Sequence, residues 1–194
     1  MNKKIVLFLI GILALATFVS AASVTLYPNG PGYYNQWIYS NTTGCHIFTA
    51  PEHWGCVDET TSDGDGTYLR TAVFYPTYVP FDTFQMADMT GTPTISKVTV
   101  SYKAKALNSV GSYLYPVLRD GNLTTEYIES SGWELTSTSS WNTFQKTYTT
   151  NPMTGSSWTK NEVNALQVGM KCPNILGTSK YCAVTQIYTR VVYS

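Results

Sequence analysis

The chain has 194 residues, with 12 Lys and Arg against 12 Asp and Glu; its formal charge is zero and it lacks the basic footprint of a nucleic-acid binder. Charged residues make up 12 % of it, about half the usual share, and 15 tyrosines help to fill the gap. Hydroxyls, amides and phenols in this proportion suit a strand-rich exported protein, whose surface touches carbohydrate or packs against copies of itself.

The chain opens with Lys3 and Lys4, an apolar run from Ile5 to Val19, and the small residues Ser20, Ala21 and Ala22. That order is a secretory signal, with cleavage expected after Ala21 or Ala22. The run is shorter than the roughly 20 apolar residues of a membrane span, and no later stretch is long enough, so no membrane contact is expected after cleavage. Loss of Lys3 and Lys4 leaves 10 basic residues against 12 acidic, a charge of about −2. The remainder, about 172 residues, fits one domain with a real core.

Residues 23–43 read as an N-terminal arm or edge strand. Ser23 to Tyr27 alternates weakly, Asn29-Gly30-Pro31-Gly32 breaks it, and Tyr34 to Tyr39 resumes. Residues 44–194 read as one β-sandwich. Thr42 to Thr67 is loop-like and acid-rich, and Tyr68 to Phe74 and Phe81 to Met86 are short strands around Pro76 and Pro80. Ile95 to Ala106 alternates most clearly: Val98, Val100, Tyr102 and Ala104 face one way, and Lys97, Thr99, Ser101, Lys103 and Lys105 the other. Tyr113 to Arg119 follows, then the hairpin signal Asp120-Gly121. A polar loop, Ser130 to Ser140, surrounds Trp133, and Trp141 to Thr149 is a strand. Thr159 stands three residues before Glu162, the spacing of a capping box, so a short helix is expected near 160–166. It feeds a strand through Leu166, Val168 and Met170. In the last strand, Val184, Gln186, Tyr188, Arg190 and Val192 alternate against Thr185, Ile187, Thr189, Val191 and Tyr193. Roughly ten short strands with frequent turns predict an all-β sandwich or barrel.

Four blocks carry a resemblance: CVDETTSDGDGTYLRT (Cys56 to Thr71), ISKVTVSYKAKA (Ile95 to Ala106), TNPMTGSSWTKNEVNALQVGMK (Thr150 to Lys171) and CAVTQIYTRVVY (Cys182 to Tyr193). Together they resemble a poorly characterised jelly-roll family, with concanavalin-like or lectin-like β-sandwiches, found in exported surface proteins and virus or phage particle proteins. The resemblance implies a jelly-roll β-sandwich without established catalysis, and it transfers no active-site residues.

Four cysteines, Cys45, Cys56, Cys172 and Cys182, are an even count in an exported chain and predict two disulfides. The similar spacings of Cys45–Cys56 and Cys172–Cys182 favour two local loops; a Cys56–Cys182 pairing is the rival. Asp58, Glu59, Asp63 and Asp65, with Gly64 and Gly66 between them, offer hard oxygen ligands to Ca²⁺, although the EF-hand pattern is absent. The alternative is a solvated Asp-Gly turn. Glu52, Glu126, Glu129 and Glu134 add carboxylates of the kind glycoside hydrolysis needs, but nothing in the sequence pairs any two of them. His46 and His53 lack a nucleophile elbow. The chain is therefore expected to be no enzyme. Trp133, in its polar loop, with Tyr33 and Tyr34 in the leader, forms the candidate sugar-stacking set; Trp141 and Trp158 are expected in the core. Asn41 and Asn122 head sequons for glycosylation.

The reading is a secreted, non-catalytic structural or adhesive subunit of a cell surface, extracellular fibre or particle. It pairs with itself, polymerising through the arm 23–43. The alternative is a carbohydrate-binding, lectin-like module whose partner is a surface polysaccharide.

Overall fold

In a computed structural model, residues 21–39, 53–62, 64–71, 81–121, 125–173 and 181–194 are described. The leader before residue 21, Cys45, Asp63 and the sequon asparagines Asn41 and Asn122 lie outside them.

The longest strands are β6 (Ile95–Ala106) and β12 (Cys182–Tyr193), and they pair antiparallel along most of their length. The alternation expected of β6 is realised. Val98, Val100, Tyr102 and Ala104 are fully buried against the second sheet, while Lys97, Thr99, Ser101 and Lys103 form the outer face. β10 (Asn142–Tyr148) flanks β6 on one side. The far side of β12 is shared by β4 (Leu69–Arg70), which pairs with β3 (Ile38–Tyr39), and by β1 (Ala22–Leu26). These strands make the first six-stranded sheet. The second runs β2 (Pro28–Asn35), β5 (Phe81–Met86), β11 (Leu166–Lys171), β7 (Ser112–Asp120) and β8 (Glu126–Ile128), with β9 (Trp133–Leu135) also on β7. From β5 to β7 and from β10 to β12 the chain alternates between the sheets, which gives an all-β jelly-roll sandwich.

Both halves of the N-terminal segment belong to this sandwich. β1 zips to its own chain's β12, from Ala22 opposite Tyr193 to Leu26 opposite Thr189. Residues 22–26 are thus an edge strand already paired in cis, and lending them to a neighbour would first require breaking that pairing. The Asn29-Gly30-Pro31-Gly32 run does not interrupt β2, contrary to expectation. β2 lies at the edge of its sheet and shifts register on both sides of Gly30 and Pro31, so a proline costs no ladder bond there. At Gly32 the backbone runs so close to Thr83 that any Cβ would meet its carbonyl oxygen.

The helix α1 spans Lys160–Asn164 and has the expected cap. The Thr159 hydroxyl accepts from the Glu162 N–H at 3.2 Å, and the Glu162 carboxylate accepts from the Thr159 N–H at 2.7 Å. Partial burial raises the Glu162 pKa, but the bonds from Thr159, Asn151 and Thr154 outweigh it and hold the carboxyl below its ordinary value. Trp158 precedes the cap and is buried, its indole N–H donating to the Tyr148 carbonyl at 3.1 Å. α1 ends two residues before the expected 166, because Leu166 already pairs with Asp120 as the first residue of β11.

Cys172 follows β11 directly and Cys182 begins β12, and the two are disulfide-bonded, with Cα atoms 6.2 Å apart. The bond therefore ties the middle of one sheet to the middle of the other. It excludes the rival Cys56–Cys182 pairing, and Cys56 is itself disulfide-bonded.

Candidate functional site

The loop carrying Asp58, Glu59 and Asp65 is turned towards the sandwich. Glu59 accepts from the Thr67 hydroxyl at 2.5 Å, and its carbonyl accepts from Gln186 at 2.6 Å. Asp65 pairs with Lys105 and accepts from the Trp141 indole at 3.3 Å. The Lys105 hydrogen bond, with the Lys105 charge and the Trp141 bond, holds the Asp65 carboxyl below its ordinary value against the opposing effect of burial. Among the described residues, no three His, Cys, Asp or Glu side chains group so as to hold a metal. Trp141 was expected in the core. It instead lies half-buried against this loop, edge-on to Tyr68 at 5.6 Å and 4.6 Å from the Lys105 ammonium.

The aromatic set divides in two. Trp133 is not a loop residue: it starts β9, stacks on Phe144 at 5.6 Å and packs against the buried Tyr102 at the same distance. Pairing of β9 with β7 turns the indole inward, which its serine-rich surroundings in sequence conceal. Tyr33 and Tyr34 lie on β2, far from Trp133 in sheet order. Tyr33 is 66 % exposed, and the Arg119 guanidinium sits 3.9 Å from its ring centre. The Tyr34 hydroxyl donates to Glu126 at 2.9 Å. Partial burial, then Glu126, raises its pKa. Among the carboxylates considered for hydrolysis, Glu126 is engaged there and Glu129 is buried against Lys146 (3.1 Å) and Tyr148 (3.4 Å).

A groove of about 700 Å³ opens elsewhere, on the outer face of the first sheet. Its walls and floor come from four adjacent strands, β1, β12, β6 and β10, about 14 Å across at the usual strand spacing. Register arranges the side chains in transverse rows. One row is Thr25, Arg190, Thr99 and Thr147; the next is Tyr188, Ser101 and Gln145; on the other side lie Ser23, Val192 and Lys97. The rows are internally braced. Thr99 and Thr147 hydroxyls are 2.8 Å apart, Gln145 donates to the Tyr188 hydroxyl at 3.4 Å, and Arg190 donates to Ser23 at 3.1 Å. The Tyr188 ring leans on Tyr27, with centres 6.1 Å apart.

Ser101 is the distinctive residue of the groove. It is 0 % exposed, lines the groove between Tyr188 and Gln145, and its Oγ has no hydrogen-bond partner among the described residues. An unpaired buried hydroxyl costs about 1–3 kcal/mol. Its row neighbours Tyr188 and Gln145, bonded to each other, close it off, so a ligand would reach Oγ only by displacing them.

Part of this face was legible. Lys97, Thr99 and Ser101 lie on the outer side of β6, as their alternation predicts. The last strand departs from its simple alternation at one point: Val184 does not share the outer face of Gln186, Tyr188 and Arg190 but is fully buried in the core. A bulge at Thr185 shifts the register between Val184 and Gln186, and the Thr185 hydroxyl donates to the Gly64 and Thr67 carbonyls at 3.0 and 2.8 Å. The extra residue turns Gln186 onward to the outer face. Only cross-strand register reveals the rows, and the sequence carries no local signal for it.

No protein-family model matches the chain, and no curated protein matches it. Among solved structures, the chain is similar to the CBM22-1 xylan-binding domain of Paenibacillus barcinonensis Xyn10C, with a TM-score of 0.43 and 13 % identity over 88 % of this chain and 94 % of that one.

Proposed function

We propose that this protein is an exported, non-catalytic β-sandwich that binds a polysaccharide in the groove on the outer face of its first sheet. The observation that carries the reading is the lining of the groove, where the hydroxyls of Ser23, Thr25, Thr99 and Thr147, the Gln145 amide and the Tyr188 phenol lie together with Lys97 and Arg190. A sugar matches that lining, because each of its hydroxyls both donates and accepts, and a ring face can rest on Tyr188. The Lys-Lys-apolar-small leader and the Cys172–Cys182 disulfide support export, since disulfides persist in oxidising compartments.

The test is affinity electrophoresis and titration calorimetry against a panel of soluble plant, microbial and animal polysaccharides. Tyr188→Ala is expected to weaken binding tenfold or more, as truncation of a central aromatic contact does (about 1.4 kcal/mol or above). Ser101→Ala should leave binding unchanged and stability unchanged or slightly raised, because it deletes a buried, inaccessible hydroxyl that nothing among the described residues satisfies. Tyr33→Ala, on the other sheet, should bind like the wild type. Wild-type protein that binds no polysaccharide on the panel, or Tyr188→Ala protein that binds as well as wild type, would overturn the proposal.

A further inference from the structure

We infer that the polysaccharide taken by the groove is anionic, with a carboxylate or sulfate seated between Lys97 and Arg190. This rests on the groove being the polysaccharide site and names the chemistry of what enters it. Both cations line the groove, and no Asp or Glu does among the described residues. Their positions are fixed by register. Arg190 is opposite Thr99 and Lys97 is opposite Val192, so both neighbour Thr99 and stand as a cross-strand diagonal, about 7–8 Å apart at the backbone. Both positive side chains project from this one face, and an anion seated among them would offset their mutual repulsion.

Lys105, Arg119 and Lys146 each have a carboxylate from the protein itself: Asp65, Glu126 and Glu129. Lys97 and Arg190 have none among the described residues; the same holds for Arg70, Lys103, Lys160 and Lys171, but of these six only Lys97 and Arg190 line the groove. The only hydrogen bond described for the Arg190 side chain goes from Nη2 to Ser23 Oγ, which steadies the guanidinium and leaves donors on its other edges. A planar guanidinium pairs well with a two-oxygen acid group, and Thr99 adds a hydroxyl beside it. The chain as a whole has as many acids as bases, so overall charge does not account for this local excess.

The experiment titrates the secreted protein with polygalacturonate, with its fully methyl-esterified form, with dextran sulfate and with neutral dextran, at low and at moderate salt. The expected result is that at least one of the two acidic polymers binds tenfold or more tighter than the neutral ones, and that the preference shrinks as salt rises. Which acidic polymer binds assigns the anion as carboxylate or sulfate. Lys97→Gln with Arg190→Gln should abolish the preference while leaving residual binding at the level of the ester. Lys97→Gln alone should remove severalfold, and it disturbs no hydrogen bond described in the fold. Lys103→Gln, on the same strand but outside the groove, should retain the preference and so exclude a general charge effect. Binding of both acidic polymers no tighter than that of their neutral counterparts, or a preference that survives loss of both cations, would overturn the inference while leaving the groove as a neutral-polysaccharide site. Absence of binding to every polymer would overturn both.

Discussion

Gly169→Ala should destabilise the protein by about 3 kcal/mol or more, enough to take a large part of a typical domain's 5–15 kcal/mol. Gly169 lies in β11, the central strand of the second sheet, opposite Thr83 on β5 and Val117 on β7. A Cβ there would strike the Asp82 carbonyl oxygen and come within 2.7 Å of Thr83 Cγ2 and 2.8 Å of Thr83 Cα. Two of those three atoms are backbone, held by the ladder on β5, so the clash relaxes only if the strands part. The Gly169 carbonyl also accepts from the buried Tyr102 hydroxyl at 2.7 Å, a bond that links the two sheets and is lost when β11 moves. Gly55→Ala is the control: a Cβ there meets nothing within 4 Å, and the change should be close to neutral. Denaturant unfolding of both variants measures the difference. A Gly169→Ala protein with the wild-type midpoint would mean that β5 and β11 do not meet as described.

Replacing both Cys172 and Cys182 by alanine should cost about 3 kcal/mol, and lower the melting temperature by about 6–12 °C for a domain of this size. The bond closes a short loop, with a sequence separation of 10, and fixing that loop removes entropy from the unfolded chain. Its position adds to the effect. Both cysteines are fully buried, one directly after β11 and one at the start of β12, so the crosslink joins the two sheets within the core. Alanine is the suitable replacement because serine would bury two new hydroxyls. Calorimetric melting of the variant decides the matter, and an unchanged melting temperature would show that the sheets hold each other without the crosslink.

What the sequence shows of this fold is what local chemistry dictates. Val98, Val100, Tyr102 and Ala104 alternate with polar partners, and the strand they imply is there with the expected inner face. Thr159 and Glu162 have the spacing of a reciprocal cap, and they make it. Errors arise where distant segments override local pattern. Trp133 sits among serines in sequence, but β7 draws it into a strand against Tyr102 and Phe144. Trp141 reads as the start of a core strand, but Asp65 and Lys105 hold it at the outer face. The proline-glycine run at 29–32 reads as a break, but an edge strand with bulges accommodates it. The groove was illegible for the same reason. Its residues come from β1, β6, β10 and β12, and they form rows only because Arg190 falls opposite both Thr25 and Thr99 and Ser101 falls opposite both Gln145 and Tyr188.

The central claim is that ligand is held on the outer face of the first sheet, and it is tested most directly by NMR. Isotope-labelled protein is titrated with oligosaccharides of whichever polymer binds best, and amide shifts are mapped onto the fold. The account predicts shifts concentrated at Thr99, Ser101, Gln145, Tyr188 and Arg190, with Tyr33, Arg119 and Glu126 unmoved. Shifts centred instead on Tyr33 and Arg119 would contradict it and move the site to the opposite sheet.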